Sequence, residues 1–455
     1  MQKKAPDTVT FDWELYPNVA EFLQKIVEEF LKNNAFAREL AKRMRDETST
    51  RFIDWVDYSK IGKEYKKEVE KLGFQKIKAE TEEGEEAYMH KSTCLFPVVL
   101  SNRKGIEIGI KVDNVDDFAQ AHGGGFEIEG KPFYKLRKAR ISKEGEYELY
   151  AIERRGTRGF EVKKSGDVQR YTKAISLLFD RKRIFEDDKE GMEYTYRLVE
   201  GLCKEIDSAR VSDAFFRAER AYWQKRNRAG QVQKERQDSL GLGWGNHDHH
   251  TFRSSRENFK KLIKIFETMG YRCRERYYAG TKAGWGAQIL EHEECEIVIF
   301  TDVDMFPHEP LRDFAHEGLE PREKLGTVGL WVALHGESIL QAGMHHLEGR
   351  FDFEKLRQDL PNYKIEFMEP FSYFPFLKQA FTVGETWKVD RNRLEKLYAG
   401  KMIGYEEYER FKEHGAIGSH MENLQRDQGF KGFNKASVTK IIRETNPRLE
   451  QYGGA

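Results

Sequence analysis

One order of segments recurs along this chain and limits its fold more than any composition figure does: a strand, a helix, then three strands. The first copy opens at the strand-like Arg51–Tyr58, continues through an amphipathic helix over 62–72 that stops at Gly73, and runs into strand-like pieces at 75–80, 86–101 and 105–112. The second has a strand through Arg253, a helix over 255–269 ending at Gly270-Tyr271, and strands at 271–278, 285–292 and 295–301. The third begins at Ala342, with a strand to Arg350, a helix over 352–360, and strands at 364–370, 376–382 and 383–389. Apolar residues at period 3.6 mark the helices and short β-rich runs mark the strands. A βαβββ unit leaves its sheet open at one edge, and a second copy is the natural cover. The expectation is an α+β fold of repeated βαβββ modules forming a curved sheet around a site, with added helical segments.

With 455 residues the chain exceeds a single ordinary core, so two to four modules are expected. The divisions read as N-terminal helices (1–50), a degenerate module (51–174), a helical connector (175–240), two further modules (241–324 and 325–395) and a helical tail (396–455).

Charge excludes some functions. Lys plus Arg and Asp plus Glu are 77 each, so no global field recruits nucleic acid or a membrane surface. The Met-Gln-Lys-Lys start lacks an apolar signal region, and no eighteen apolar residues run together, which points to a cytoplasmic protein without a membrane span. Cys94, Cys203, Cys273 and Cys295 form no CxxC pair, so they read as thiols and not as a zinc knuckle or disulfide framework. The basic run Gln224–Arg236 reads as a solvated linker or helix face. His122-Gly-Gly-Gly-Phe126 lacks the lysine and the strand-to-helix context of a phosphate loop and reads as a flexible turn.

Histidine is distributed unevenly: only His90 and His122 precede position 247, and the other eleven lie from His247 onward. In Trp244–Arg253, strand alternation puts His247, His249, Thr251 and Arg253 on one face and His250 on the other. That face offers imidazoles for a divalent metal and a guanidinium for an anion. A second doublet, His345-His346, opens the third copy. A strand histidine is often a satisfied structural residue, but two histidine-bearing strands, each at the start of a repeated module, favour a metal site.

Paired βαβββ units resemble the vicinal oxygen chelate superfamily. Asp248-His-His-Thr-Phe-Arg253, a helix leaving through Met269-Gly-Tyr271, and Arg274-Glu-Arg-Tyr277 resemble the 2-oxoadipate dioxygenase/decarboxylase (hydroxyglutarate synthase) family. Leu330–Leu334 and Gly343-Met-His-His-Leu347 extend the likeness, which covers roughly 245–390. It implies His249 and His346 as metal ligands and Arg253 as the clamp on a 2-oxo acid carboxylate. The chain departs from the pattern at His345 (for asparagine), Glu348 (for threonine) and His250 (for an aliphatic residue).

Two histidines and a carboxylate suit non-haem Fe(II), though Zn, Mn or Ni also accept such donors. The third ligand is assigned to Glu385, on a strand where Val383, Glu385 and Trp387 share a face. Its rivals are Glu348, Asp302 and Asp304. His247, Asp248 and Glu348 are placed to fix imidazole tautomers. The implied activity is a non-haem iron dioxygenase that oxidatively decarboxylates a 2-oxoadipate-like acid to a hydroxy acid, with a small carboxylate and dioxygen as its partners. The alternatives are a glyoxalase-type metal isomerase or lyase, and a non-catalytic small-molecule binder.

Overall fold

The computed structural model describes residues 13–91, 95–434 and 446–448; the start of the chain, Cys94 and most of the final twenty residues lie outside them. The architecture is mixed α+β, built on two eight-stranded sheets, each made from two βαβββ units.

The first sheet takes β1 (Val56–Gly62), β2 (Phe74–Lys76), β3 (Glu86–His90) and β4 (Val98–Ser101) from one unit. It takes β5 (Glu107–Lys111), β6 (Glu127–Glu129), β7 (Leu136–Glu144) and β8 (Tyr147–Arg154) from another. The order is β2-β3-β4-β1-β5-β8-β7-β6, so the two units meet through antiparallel first strands. The stretch 51–174 therefore holds two units, where the sequence reading expected one. Its second unit was hidden because β7 reads Leu-Arg-Lys-Ala-Arg-Ile-Ser-Lys-Glu, almost without apolar alternation. Arg137 and Lys138 are buried there because Glu153, Asp116 and Glu82 pair with them. Ion pairing supplied what a hydrophobic face normally does.

The second sheet repeats the arrangement. One unit gives β9 (His247–Arg253), β10 (Arg272–Tyr278), β11 (Trp285–His292) and β12 (Ile297–Asp304). Its helix, Phe259–Thr268, buries Phe259, Leu262, Ile263, Ile265 and Phe266. The helix ends at Gly270, whose φ of +96° suits glycine and whose missing side chain leaves room for the His292 ring. The other unit gives β13 (His346–Arg350), the helix Phe353–Asp359, β14 (Ser372–Phe374) and β15 (Leu377–Phe381).

The chain then departs from expectation. The segment 383–389 does not enter the sheet: only β16 (Thr386–Trp387) is extended, and it pairs with β17 (Ala416–Ile417) in a separate ribbon. Two helices, Arg391–Ala399 and Tyr405–His414, intervene before the last strand, β18 (His420–Arg426), completes the unit. The order is β10-β11-β12-β9-β13-β18-β15-β14. The tail expected to be helical from 396 thus contains a central strand of the sheet.

Four helices (Val168–Phe179, Asp188–Glu205, Ser208–Gln224 and Arg228–Asp238) join the sheets. Phe215 and Phe216 pack with Phe252 and Phe266 in one core, and Leu23, Phe30, Trp55 and Phe118 share another beneath the first sheet. The basic run 224–236 is not a solvated face: Val232, Gln233 and Arg236 are buried, with Gln233 donating to the Thr48 carbonyl and Arg236 to Ser49. His122-Gly-Gly-Gly-Phe126 is a turn, with three successive glycines at positive φ. No helix among the described residues is long and apolar enough to cross a membrane.

Candidate metal centre

The three strands at the middle of the second sheet, β9, β13 and β18, set the site by register. β13 runs antiparallel to β9 with His346 opposite Thr251, and parallel to β18 with Glu348 opposite Glu422. Alternation then puts His249, Thr251, Arg253, His346, Glu348, His420 and Glu422 on one face.

On that face His249, His346 and Glu422 each aim one donor atom at a common point, the donors lying within 4.8 Å of one another. Glu422 Oε2 is 3.1 Å from His346 Nε2 and 3.7 Å from His249 Nε2. All three side chains are buried.

The remaining atoms of these groups are already engaged, which is what orients the donors. His249 Nδ1 lies 2.6 Å from Glu348 Oε1, a contact in ion-pair range without hydrogen-bond alignment. His346 Nδ1 faces His345 Nδ1 at 3.1 Å. The Gln379 amide donates to Glu422 Oε1 at 2.8 Å and to Glu348 Oε2 at 3.2 Å, leaving Glu422 Oε2 for the shared point. The Thr251 hydroxyl sits 2.8 Å from His346 Nε2. Two imidazoles and a carboxylate with one donor atom of each converging are the donor set of a divalent transition metal.

Electrostatics follow from burial. Desolvation opposes charge on His249, but Glu348, Asp248 and Glu422 outweigh it and raise its pKa to about 10. Burial, then Glu422 and Asp248, push Glu348 well above the usual carboxylate range. Burial, with His249 adding to it, keeps His346 neutral. Asp248 resists its own burial because Arg426 and Arg350 hold it ionised, at 3.1 and 2.8 Å.

Arg253 is buried four residues along β9 from His249. Desolvation lowers its pKa to about 10. Its guanidinium stands 5.4 Å from the Trp331 ring centroid and 3.8 Å from Asp302, beyond hydrogen-bond range. Its Nε and Nη1 have no hydrogen-bond partner among the described residues. Burial raises Asp302 to about 7, against the pull of Arg253.

Glu385 is not in the group. After Thr382 the chain leaves the sheet, and Glu385 Oε1 accepts the Arg228 N–H at 2.6 Å. Gly384 does permit a close approach, but to the His420 ring. Glu422 holds the position that Glu385 was expected to take. Its sequence signal was the pair His420-x-Glu422, a spacing that puts an imidazole and a carboxylate on one strand face. Asp304 caps the helix Thr327–His335 by accepting from Gly326 and Val328, and Asp302 faces Arg253. Glu348 lies on the far side of His249. His247 sits edge-on to His250, away from the triad, and His250 turns to the opposite face against Phe216 and Arg220.

The first sheet has the same register and different chemistry. Lys60, Glu107 and Glu148 pair across its central strands as Thr251, His346 and His420 do across the second. Lys60 Nζ is 2.8 Å from Glu85 and 3.7 Å from Glu107, so an ammonium ion is neutralised there. Among the described residues the first sheet contains no metal-type donor group. A cavity of about 1240 Å³ lies against both sheets and reaches His247, Asp248 and His249.

No protein-family model matches the chain, and no curated protein does. Among solved structures, a presumed hydrolase from Shewanella frigidimarina is 16% identical over 49% of this chain and 98% of its own, with a TM-score of 0.34. A mutant of 4-hydroxymandelate synthase from Streptomyces coelicolor is 10% identical over 87% of this chain and 98% of its own, at 0.29. The uncharacterized protein YdcJ from Shigella flexneri is 12% identical over 61% and 81%, at 0.24. At such scores only the site's own geometry can carry a functional reading.

Proposed function

We propose that this chain is a mononuclear metal enzyme, an Fe(II)-dependent dioxygenase that oxidatively decarboxylates a 2-oxo acid of the 2-oxoadipate type. The observation that carries the proposal is the convergence of His249 Nε2, His346 Nε2 and Glu422 Oε2 on one buried point, with an unsatisfied arginine on the same face. His249, His346 and Glu422 would hold the ion, and Fe(II) bound there would supply the chelation of a 2-oxo acid and the activation of dioxygen.

The chain's own residues do the rest. Arg253 presents to a carboxylate a buried guanidinium whose Nε and Nη1 have no partner among the described residues. Trp331 backs the guanidinium, and Phe300 and Phe381 stand 4.4 and 5.0 Å from the rings of His249 and His346. These apolar walls exclude water and keep the electrostatic contacts strong. Glu348 holds the outer nitrogen of His249, fixing the ring and its tautomer. Gln379 keeps Glu422 and Glu348 from swinging apart.

The test is metal analysis of anaerobically purified protein, followed by oxygen-electrode assays with 2-oxoadipate and shorter 2-oxo acids. One iron per chain and equal consumption of oxygen and 2-oxo acid are expected. Turnover unchanged in the absence of oxygen would turn the assignment toward isomerase or lyase chemistry, and failure to take up any divalent ion would end it.

A further inference from the structure

Beside the triad, three side chains present polar atoms that the fold leaves unpaired. Arg253 Nε and Nη1, His345 Nε2 and His420 Nε2 all lack a hydrogen-bond partner among the described residues. Exposure is 4% for Arg253, 2% for His345 and 0% for His420. They are neighbours. The His345 and His420 ring centroids are 5.3 Å apart, and the Trp331 ring lies 5.4 Å from both His345 and the Arg253 guanidinium. Each buried polar atom left unpaired is a standing penalty. Arg253 and His345 flank the Trp331 ring and His420 stands beside His345, so four unpaired atoms on three adjoining side chains call for a partner that the described residues do not supply.

The bond made by the other nitrogen of each ring decides how the free one works. His420 Nδ1 lies 2.9 Å from the Thr382 carbonyl oxygen, which only accepts, so the proton is on Nδ1. In that tautomer of the imidazole Nε2 offers a lone pair. His345 Nδ1 faces His346 Nδ1, and only one of these can carry hydrogen. A metal on His346 Nε2 leaves the proton on His346 Nδ1. His345 then accepts it and carries its own proton on Nε2. The cluster thus presents a guanidinium and an imidazole N–H as donors beside one imidazole nitrogen as acceptor.

We infer that Arg253, His345 and His420 form a recognition subsite for a carboxylate that stands next to a hydroxyl group, so that the substrate is a hydroxy-substituted 2-oxo acid. The carboxylate oxygens accept from Arg253 and from His345 Nε2–H, and the hydroxyl donates to His420 Nε2. The inference deepens the 2-oxo acid reading and rests on it; the tautomer of His345 depends on the metal, whereas that of His420 does not. A buried acceptor built for a hydroxyl discriminates strongly against an analogue lacking it, because that acceptor is then stranded.

The probes are 2-oxoglutarate and 4-hydroxy-2-oxoglutarate, which differ by one hydroxyl, titrated calorimetrically into Zn(II)-loaded protein. The wild type is expected to bind the hydroxy acid about tenfold more tightly or better. His420→Phe should bring the ratio to near one while leaving bound Zn(II) unchanged. His420→Asn, which keeps a donor for Thr382, serves should the phenylalanine variant not fold. Long-range 1H–15N spectra of the Zn(II) protein should show His420 protonated at Nδ1 and His345 at Nε2, with the His420 Nε2 signal moving on addition of the hydroxy acid and not of 2-oxoglutarate. Equal affinities in the wild type, a preference that survives both variants, or a His420 proton on Nε2 each overturn the subsite. Zinc content on the same samples keeps the two readings apart: full zinc with equal affinities removes the subsite alone, and no zinc removes the metal reading together with His345 as donor.

Discussion

Glu422→Gln separates the centre that the fold assembles from the one the sequence pointed to. Glu422 Oε2 is 3.1 and 3.7 Å from the free nitrogens of His346 and His249, and the residue is 2% exposed. An amide of the same shape keeps the packing and removes the carboxylate oxygen that faces both rings. Breaking a buried, charge-paired contact costs about 3–5 kcal/mol. At about 1.36 kcal/mol per decade, metal affinity should fall roughly a hundredfold to several-thousandfold. Without metal the sign reverses. After burial itself, Glu422 is the largest cause of the raised pKa of Glu348, so neutralising it relieves crowding among buried carboxylates. Metal-free Glu422→Gln should therefore unfold at a Tm equal to or above that of the wild type. Glu385→Gln is the control: it perturbs one hydrogen bond to the Arg228 N–H, costs about 1 kcal/mol of stability, and leaves metal affinity unchanged. Competition titration against a chromophoric chelator, with Tm measured on metal-free samples, reads all three proteins. Wild-type affinity in Glu422→Gln, or a hundredfold loss in Glu385→Gln, would refute the reasoning.

Metal uptake should depend on pH in a defined direction. With its pKa raised to about 10, His249 must release a proton to bind metal, so affinity should climb toward tenfold per pH unit between 7 and 9; a flat profile in the same titration would contradict this. The same group makes metal-free stability fall in the opposite sense: its contribution is complete below the unfolded pKa of about 6.5 and is lost as pH rises toward 10, which denaturant melts across that window measure. Glu219→Ala should destabilise the chain by about 3–5 kcal/mol, because it strands Arg181 and Arg183, which pair with it at 2.5 and 2.6 Å inside the helical layer; a loss under 1 kcal/mol in urea would show that water reaches them.

Much of the centre was legible because it is local. Strand alternation in 247–253 places His249 and Arg253 on one face without reference to the rest of the chain, and the helix 259–268 with its Gly270 stop is a short-range pattern. His345-His346 was visible for the same reason. The second unit of the first sheet was not, because its buried strand β7 is ion-paired and carries little apolar period.

The sequence by itself pointed to the module, to two of the three residues proposed as donors and to the arginine beside them, since each depends on periodicity within a few residues. Only the tertiary structure decided the third donor. Glu385 is nearer to His346 along the chain, and it stands in a plausible strand. The sheet, however, closes with β18, which returns after two inserted helices and pairs in parallel with β13, bringing Glu422 opposite Glu348. Strand order is set by long-range pairing and by the burial of both faces of β18, and no local pattern encodes it. The choice between one carboxylate and another was therefore made by register across the sheet.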